Sequence, residues 1–196
     1  MPALPPDACA GLFGKLPARG DFVRENLPRD FTDPWDAWWE RNLAVIRRRP
    51  RQEWTASWLE APVWRFVLPP GLYGRKGVLG IWLPSVDRAG RYSPLTIAAV
   101  ASTDWAPHLG AMTAFLAASE QAGRDALEYD LSPVELLQRI RQGFFADDTP
   151  ASAPEFVAER ATWWTAGGPR VAPRLEAGDA LPEGRAFAAL IDDDWQ

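Results

Sequence analysis

Large apolar residues recur along positions 34–48 with the spacing of a helix that has one buried face. They are Trp35, Trp38, Trp39, Leu43 and Ile46. Asp33 precedes the run and can accept hydrogen bonds from the first free N–H groups, while Pro50 ends it because the residue before a proline resists helical geometry. The pattern therefore predicts a first helix from residue 34 to about residue 48.

Four shorter apolar runs, separated by Pro, Gly or Asp, predict strands after this helix. They lie at residues 54–59, 63–68, 78–83 and 92–101. The short connections favour antiparallel pairing, because parallel neighbours need a long crossover. The last two runs are apolar at odd and even positions alike, so both faces of the sheet should be covered.

The second half of the chain supplies helices for that cover. The alanine-rich residues 107–127 predict one helix, and Ser132 and Glu135 form a capping box for the next, with Pro133 at its first position. Further elements are expected as a polar loop at 147–154, a strand at 161–165 and a candidate edge strand at 171–175. Residues 187–191 are ambiguous between a short helix and a strand.

The order of these elements predicts an α+β fold in a single domain, residues 1–196. Two short strands around a glycine-containing turn open the chain, followed by a helix, three or more strands, two helices and a further strand. A mainly antiparallel sheet with helices on both faces satisfies this order. The layered plan is similar to that of longin and profilin-like domains, which serve binding more often than catalysis, although a fold alone does not decide function.

Charge and cysteine content narrow the classes of function. The net charge of −5 argues against a general nucleic-acid-binding protein, which would carry a basic face. The basic run Arg47-Arg48-Arg49 lies at the end of the first predicted helix, where cations suit the helix dipole, and this favours a structural role over a phosphate patch. The lone Cys9 fits a reducing compartment. The first residues lack the basic and apolar regions of a signal peptide, so we expect a cytoplasmic protein with no membrane insertion.

Candidate catalytic and metal-binding residues are sparse. His108 is the only histidine, and its place at the start of an alanine-rich helix favours a surface or capping role. Neither Asp147-Asp148 nor Asp192-Asp193-Asp194 has the alternating spacing of a calcium loop, which favours solvated carboxylates. We expect no cofactor, no bound metal and no small-molecule substrate. A carboxylate-dependent hydrolase that uses Asp21 and Asp87 remains an open alternative.

Two turns hold the most concentrated polar residues. The first carries Lys15, Arg19, Asp21 and Arg24, and the second, between two predicted strands, carries Ser85, Asp87, Arg88 and Arg91. In the second turn Asp87 can hydrogen-bond forward to the backbone, and Gly90 can adopt a positive φ. The eight side chains either brace the turns or bind a partner, since arginine presents a planar donor fork to carboxylates and phosphates. If the turns pack together, Asp21 is expected to pair with an arginine of the other turn.

Three ordered strings of residues carry a family resemblance. The first comprises Gly14-Lys15-Leu16-Pro17, Gly20-Asp21-Phe22-Val23, Leu27-Pro28, Phe31 and Trp35-Asp36-Ala37-Trp38; the second runs from Pro84 to Leu95, and the third is Trp163-Trp164-Thr165. Together these strings resemble the TagF family, also called ImpM, of accessory proteins of bacterial type VI secretion.

The resemblance implies a non-enzymatic, post-translational repressor of type VI secretion in the bacterial cytoplasm. Proteins of this family act on a forkhead-associated scaffold protein, in parallel with control by threonine phosphorylation, so that scaffold is the expected partner. The resemblance also implies the longin or profilin-like plan. A structural or accessory subunit of the secretion apparatus is the alternative. The eight side chains of the two turns are the candidate partner-binding residues.

Overall fold

The computed structural model describes residues 3–146 and 159–195, and within them seven strands form one antiparallel sheet. The strands are β1 (Cys9–Gly14), β2 (Val23–Glu25), β3 (Trp64–Leu68), β4 (Gly77–Val86), β5 (Tyr92–Ala101), β6 (Ala161–Thr165) and β7 (Arg174–Gly178). Their order across the sheet is β2-β1-β5-β4-β3-β6-β7. The predicted loop at 147–154 lies outside the described residues.

Helices cover both faces of this sheet. They are α1 (Arg29–Ile46), α2 (Arg51–Glu60), α3 (Leu109–Glu128), α4 (Pro133–Ala146) and α5 (Arg185–Ala188), with single 3-10 turns at Ala106–His108 and Asp193–Trp195. Buried residues of α1, α2 and α5 share one core, and buried residues of α3 and α4 share a second. The α+β class, the mainly antiparallel sheet and the cover on both faces are therefore confirmed.

The central strands show why two cores form. Along β4, Val78 and Trp82 lie in the core under α1, whereas Leu79, Ile81 and Leu83 lie in the core under α3. Successive side chains of a strand point to opposite faces, so a run that is apolar throughout must be buried on both. This is the alternation that the sequence predicts for the two central strands.

The core under α1 is built from tryptophan. Trp35 stacks parallel to Trp163 with ring centroids 6.0 Å apart, and it lies 4.9 Å from Phe66. The indole of Trp38 donates a hydrogen bond from Nε1 to the carbonyl oxygen of Pro182 at 2.9 Å. The predicted buried face of the first helix is confirmed, since its five large apolar residues are all buried.

The predicted start of that helix is wrong. α1 begins at Arg29, five residues before Pro34, and Asp33 lies inside the helix and does not cap it. Pro28 precedes the first turn, and its carbonyl accepts N–H bonds from Phe31 and Thr32. Pro34 removes one backbone donor near the N-terminal end, and the burial of Phe31 beside Trp35 outweighs this loss.

The strand predicted at 54–59 is also wrong, because these residues belong to α2. Trp54, Ser57 and Trp58 are its buried residues, and their spacing of three and four is that of a helix. A short apolar run does not distinguish the two structures by periodicity alone.

The remaining elements lie close to their predicted positions. The capping box of α4 is confirmed, since Ser132 donates from both N–H and Oγ to the Glu135 carboxylate, at 2.8 and 2.6 Å. The edge strand β7 begins three residues later than predicted, and the ambiguous segment near residue 187 contributes to the short helix α5.

Candidate functional site

The first polar turn is held against the start of β5. Gly14 ends β1 with a φ of 129°, and a Cβ at this position would lie 2.0 Å from the carbonyl oxygen of Pro94. The next residue, Lys15, donates its backbone N–H to the same carbonyl at 3.3 Å. Only glycine accommodates both the positive φ and the close approach, so Gly14 fixes where the turn begins.

The second polar turn closes the β4–β5 hairpin. Asp87 donates its backbone N–H to the carbonyl oxygen of Arg91 at 3.0 Å, and Gly90 donates to the carbonyl oxygen of Asp87 at 2.9 Å. The Asp87 Oδ1 atom accepts the backbone N–H groups of Ala89 and Arg91, both at 2.9 Å. Gly90 has a φ of 75°. The predicted forward hydrogen bond of Asp87 and the positive φ of Gly90 are both confirmed.

A buried ion pair joins the two turns. Lys15 Nζ lies 2.6 Å from Asp87 Oδ2, and the exposed fractions of these side chains are 7% and 0%. Arg91 Nε donates to the same oxygen at 2.7 Å. Burial acts to raise the pKa of the Asp87 carboxyl, but the hydrogen bonds from Lys15 and Arg91 outweigh it and hold that pKa well below its usual range. Asp87 is therefore a charged acceptor at neutral pH, and it ties one turn to the other.

Ser85 completes this arrangement. Its Oγ atom donates to the carbonyl oxygen of Lys15 at 2.8 Å, while its own carbonyl accepts the indole N–H of Trp58 at 3.2 Å. We call Lys15, Ser85, Asp87 and Arg91 the Asp87 cluster. Three of its members, Lys15, Ser85 and Asp87, are buried and position the turns.

The other predicted site residues lie on the exposed surface of the turns. Arg19, Asp21 and Arg88 are exposed, and within the described part of the chain none of the three makes an ion pair. Arg24 is exposed too and lies 3.6 Å from the Asp33 carboxylate. The prediction that Asp21 pairs with an arginine of the other turn is wrong, because the buried pair is Lys15–Asp87. The turns nevertheless do pack together, since Arg91 also donates to the carbonyl oxygen of Gly20.

Phe22 is a surface residue that sequence reasoning did not single out. Its ring is 47% exposed, packs 5.5 Å from the ring of Phe13, and lies 4.9 Å from Lys15 Nζ. A phenylalanine between an aspartate and a valine suggests burial, and only its place beside the Asp87 cluster reveals an exposed aromatic ring. The same string, Gly20-Asp21-Phe22-Val23, contributes to the family resemblance.

A cleft of about 630 Å³ opens beside the Asp87 cluster. Its lining includes Lys15, Phe22, Asp36, Trp39, Glu40, Leu43, Arg47, Arg51, Trp54, Gly90, Arg91, Tyr92 and Ser93. It thus joins α1 and the start of α2 to both polar turns. Aromatic residues and arginine, both present in this lining, are enriched at protein–protein interfaces.

A second buried carboxylate lies near the C-terminal end, where the sequence favours solvated aspartates. That prediction is wrong for Asp192, which is 2% exposed. Asp192 Oδ2 accepts a hydrogen bond from Ser57 Oγ at 2.6 Å and lies 3.3 Å from an Arg170 guanidinium nitrogen. Arg170 also pairs with Glu60 at 2.6 Å. We call Ser57, Glu60, Arg170 and Asp192 the Asp192 cluster.

The structure gives no support for catalysis by His108 or for a metal site among the described residues. His108 lies in a 3-10 turn, and its Nδ1 atom is 3.0 Å from the carbonyl oxygen of Ala3. Within residues 3–146 and 159–195, no group of three or more His, Cys, Asp or Glu side chains is placed to hold a metal ion. Over the same residues, none of the helices is long and apolar enough to span a membrane.

The part of the chain that carries both polar turns matches a family associated with type VI secretion. Residues 11–142 match the model of the TagF N-terminal domain, described as type VI secretion system-associated. The match covers more than half of the chain and includes both turns, the Asp87 cluster and the cleft. The chain belongs to this family.

A solved structure is similar over nearly the whole chain. The crystal structure of PA0076 from Pseudomonas aeruginosa PAO1 aligns with a TM-score of 0.76 and 28% sequence identity, over 94% of this chain and 94% of that one. No curated protein matches the chain significantly.

Proposed function

We propose that this chain is a post-translational repressor of type VI secretion that binds a forkhead-associated scaffold protein in the bacterial cytoplasm and catalyses no reaction. Residues 1–196 act as one TagF-like domain in this proposal. Family membership supports the link to type VI secretion. The scaffold and the repression are what the resemblance implies, and the geometry of the two turns offers a surface for that contact.

The observation that carries the proposal is a pair of exposed arginines on two turns that a buried ion pair holds together. Arg19 and Arg88 are exposed and have no acidic partner in the described part of the chain. The turns that carry them are joined by the buried Lys15–Asp87 pair, so these side chains are presented from a backbone with little freedom. Binding to such a surface costs less ordering entropy, and arginine is enriched among the residues that dominate interface energies.

No observation favours the hydrolase alternative. The Asp87 carboxylate is fully buried, and both of its oxygens accept hydrogen bonds from within the chain. A general base must be free to reach a proton on a substrate. Asp21 is exposed and belongs to no cluster of carboxylates among the described residues.

Secretion in cells tests the repressor function. Overproduction of the chain should reduce type VI secretion in proportion to its amount, because binding to a scaffold saturates by mass action. Deletion of its gene should raise secretion even in a strain where threonine phosphorylation is blocked. Secretion that stays constant in both strains would contradict repression. Loss of secretion on deletion, with stoichiometric co-purification with the apparatus, would support the structural-subunit alternative.

A further inference from the structure

We propose that the cleft beside the Asp87 cluster binds an extended peptide segment of the partner, in which a basic and an acidic residue flank an apolar side chain. The inference deepens the proposed function and depends on it for the identity of the protein that carries the segment. The binding itself is a property of the cleft and can be measured on the purified chain.

One face of α1, continued by Arg47 directly after its last residue, forms a wall of the cleft and changes charge along its length. Asp36, Glu40 and Arg47 all line the cleft, and Leu43 lies between the acidic pair and the arginine. Residues spaced by three, four and seven positions share one face of a helix. Arg51, the first residue of α2, lies four positions after Arg47 and adds a second cation to the lining. The cleft is therefore acidic at one end of this wall and basic at the other.

These four charges are not paired with one another. Within the residues that the structure describes, Asp36, Glu40, Arg47 and Arg51 make no ion pair, and Arg47 donates one hydrogen bond to the carbonyl oxygen of Tyr92 at 2.8 Å. By contrast, the arginine beside them, Arg91, is already engaged by Asp87. The unpaired charges are available to complementary groups on a partner.

At the acidic end of the cleft, the pKa of Asp36 is raised. Burial raises the pKa of Asp36, and the neighbouring carboxylates Glu40 and Asp33 raise it further. A lysine or arginine from a bound segment would relieve that repulsion. The electrostatics at this end thus agree with the geometry.

Aromatic side chains also line the cleft. Trp54 and Tyr92 pack edge to face at 4.8 Å, and the Arg47 guanidinium lies 5.7 Å from the Trp54 ring. The exposed ring of Phe22 lies on the same lining. Leu43 lies between Glu40 and Arg47 in the same wall, so an apolar side chain between the two charges of a bound segment would contact the apolar part of this lining.

The distance between the charges sets the spacing of the complementary residues in an extended segment. Glu40 of α1 and Arg47, which directly follows the last residue of that helix, are seven residues apart, which corresponds to about 10 Å along the helix axis. An extended chain covers this distance in about three residues. The bound segment should thus place its acidic residue about three positions from its basic residue, with the apolar residue between them. A purely anionic ligand, such as phosphate, could pair with Arg47 and Arg51 but would leave Asp36 and Glu40 without a cation.

Selection from a phage-displayed library of random short peptides tests this assignment on the purified full chain. The enriched peptides should share a basic, an apolar and an acidic residue at that spacing. Enrichment of peptides with charges of one sign only, or of no peptide at all, would overturn the inference.

Charge reversal locates the binding. Glu40→Arg and Arg51→Glu should each weaken the affinity for a selected peptide by about tenfold or more. The matched controls are Glu128→Arg, at the end of α3 on the other face of the sheet, and Arg48→Glu, an exposed neighbour outside the cleft lining. The double variant Glu40→Arg/Arg51→Glu should bind the peptide with its two charges exchanged. Unchanged affinity in both single variants, or equal losses in the controls, would place the peptide elsewhere.

The same variants separate this inference from the proposed function. If the purified scaffold binds the chain but the selected peptides do not compete and Glu40→Arg has no effect, the cleft assignment is wrong and the function stands. If peptides bind as described but the scaffold does not bind the wild-type chain, the cleft assignment stands and the proposed partner is wrong.

Discussion

The Asp87 cluster and the Asp192 cluster both bury a carboxylate, but they satisfy it differently. The Asp87 side chain is 0% exposed and its main partner is a lysine that is itself buried, at 7%. The Asp192 side chain is 3% exposed and accepts from a neutral hydroxyl, Ser57, and from a more exposed arginine. The charge of Asp87 is thus balanced mainly by one buried cation. The Asp192 carboxylate instead shares its contacts between a hydroxyl group and an arginine.

The two clusters also differ in what they leave on the surface. Beside Asp192, Arg170 pairs with Glu60 as well, and the nearby Arg174 pairs with both Glu176 and Asp193. Beside Asp87, Arg19 and Arg88 have no acidic partner in the described residues. Arg170 and Arg174 are thus paired within the fold, whereas Arg19 and Arg88 on the two turns are unpaired among the described residues. If the proposed function is correct, the Asp87 region combines stability with recognition, and the Asp192 region serves stability.

Removing the buried cation should have the largest effect. Lys15→Met leaves Asp87 buried with only the half-exposed Arg91 as a charged partner, and we expect the free energy of unfolding to fall by about 3–5 kcal/mol. Chemical denaturation measures this loss. Asp21→Asn, in the same turn but exposed, is the control and should change stability by less than about 0.5 kcal/mol. Equal midpoints for Lys15→Met and the parent would show that the pair does not hold the turns.

The same pair predicts a loss of stability in acid. The pKa of Asp87 is lower in the folded chain than the value of about 3.9 expected when unfolded, so its contribution is complete above that value and is lost as the pH falls below it. Denaturation between about pH 6 and pH 2 should show a weaker acid dependence for Asp87→Asn than for the parent. Asp193, whose pKa is also lowered by hydrogen bonds despite burial, should leave a residual slope. Identical slopes in the two proteins would contradict the account of Asp87.

Truncation in the second cluster should cost less. Asp192→Ala leaves Ser57 Oγ with the Glu53 carbonyl at 3.2 Å and leaves Arg170 paired with Glu60, so the expected loss is about 1–3 kcal/mol. Asp194→Ala, which removes an exposed carboxylate two residues away, is the matched control in the same denaturation experiment. A loss as large as that of Lys15→Met would mean that the two clusters do not differ in how they distribute their contacts.

A backbone change in the hairpin turn should have a smaller effect. Gly90 has a positive φ and open space around its Cα, so Gly90→Val is expected to cost about 1–2 kcal/mol through backbone strain alone. Gly20→Val provides the control, because Gly20 has similar space without a positive φ. Thermal or chemical melts that coincide for Gly90→Val and the parent would refute the strain argument.

The sequence predicts the layered fold because its strongest signals are periodic and long. The two-faced burial of β4 and β5, the buried face of α1 and the capping box of α4 follow from spacing alone. The strand predicted at 54–59 is wrong because Trp54 and Trp58 fit either period over so short a run, and packing against the other tryptophans decides it. Intrinsic secondary-structure propensity has little influence where large side chains pack in the core.

The candidate site is predicted in part for a related reason. Local turn chemistry identifies Asp87 and Gly90, since both act on their own hairpin. Lys15 and Asp87 are 72 positions apart in the sequence. No local sequence pattern predicts which of the several nearby cations will pair with Asp87. The burial of Asp192 depends on Ser57, 135 positions away, for the same reason.

The most direct test of the account is the affinity of the purified forkhead-associated scaffold for the chain and for its Arg19→Ala/Arg88→Ala variant. Both arginines are exposed and unpaired in the described structure, so the melting curve should stay unchanged while affinity falls by about tenfold or more. The double variant Arg141→Ala/Arg185→Ala removes two exposed arginines from α4 and α5 and should bind like the parent. Unchanged affinity of the Arg19/Arg88 variant for a scaffold that binds the parent would contradict the assignment of the two turns as the contact surface.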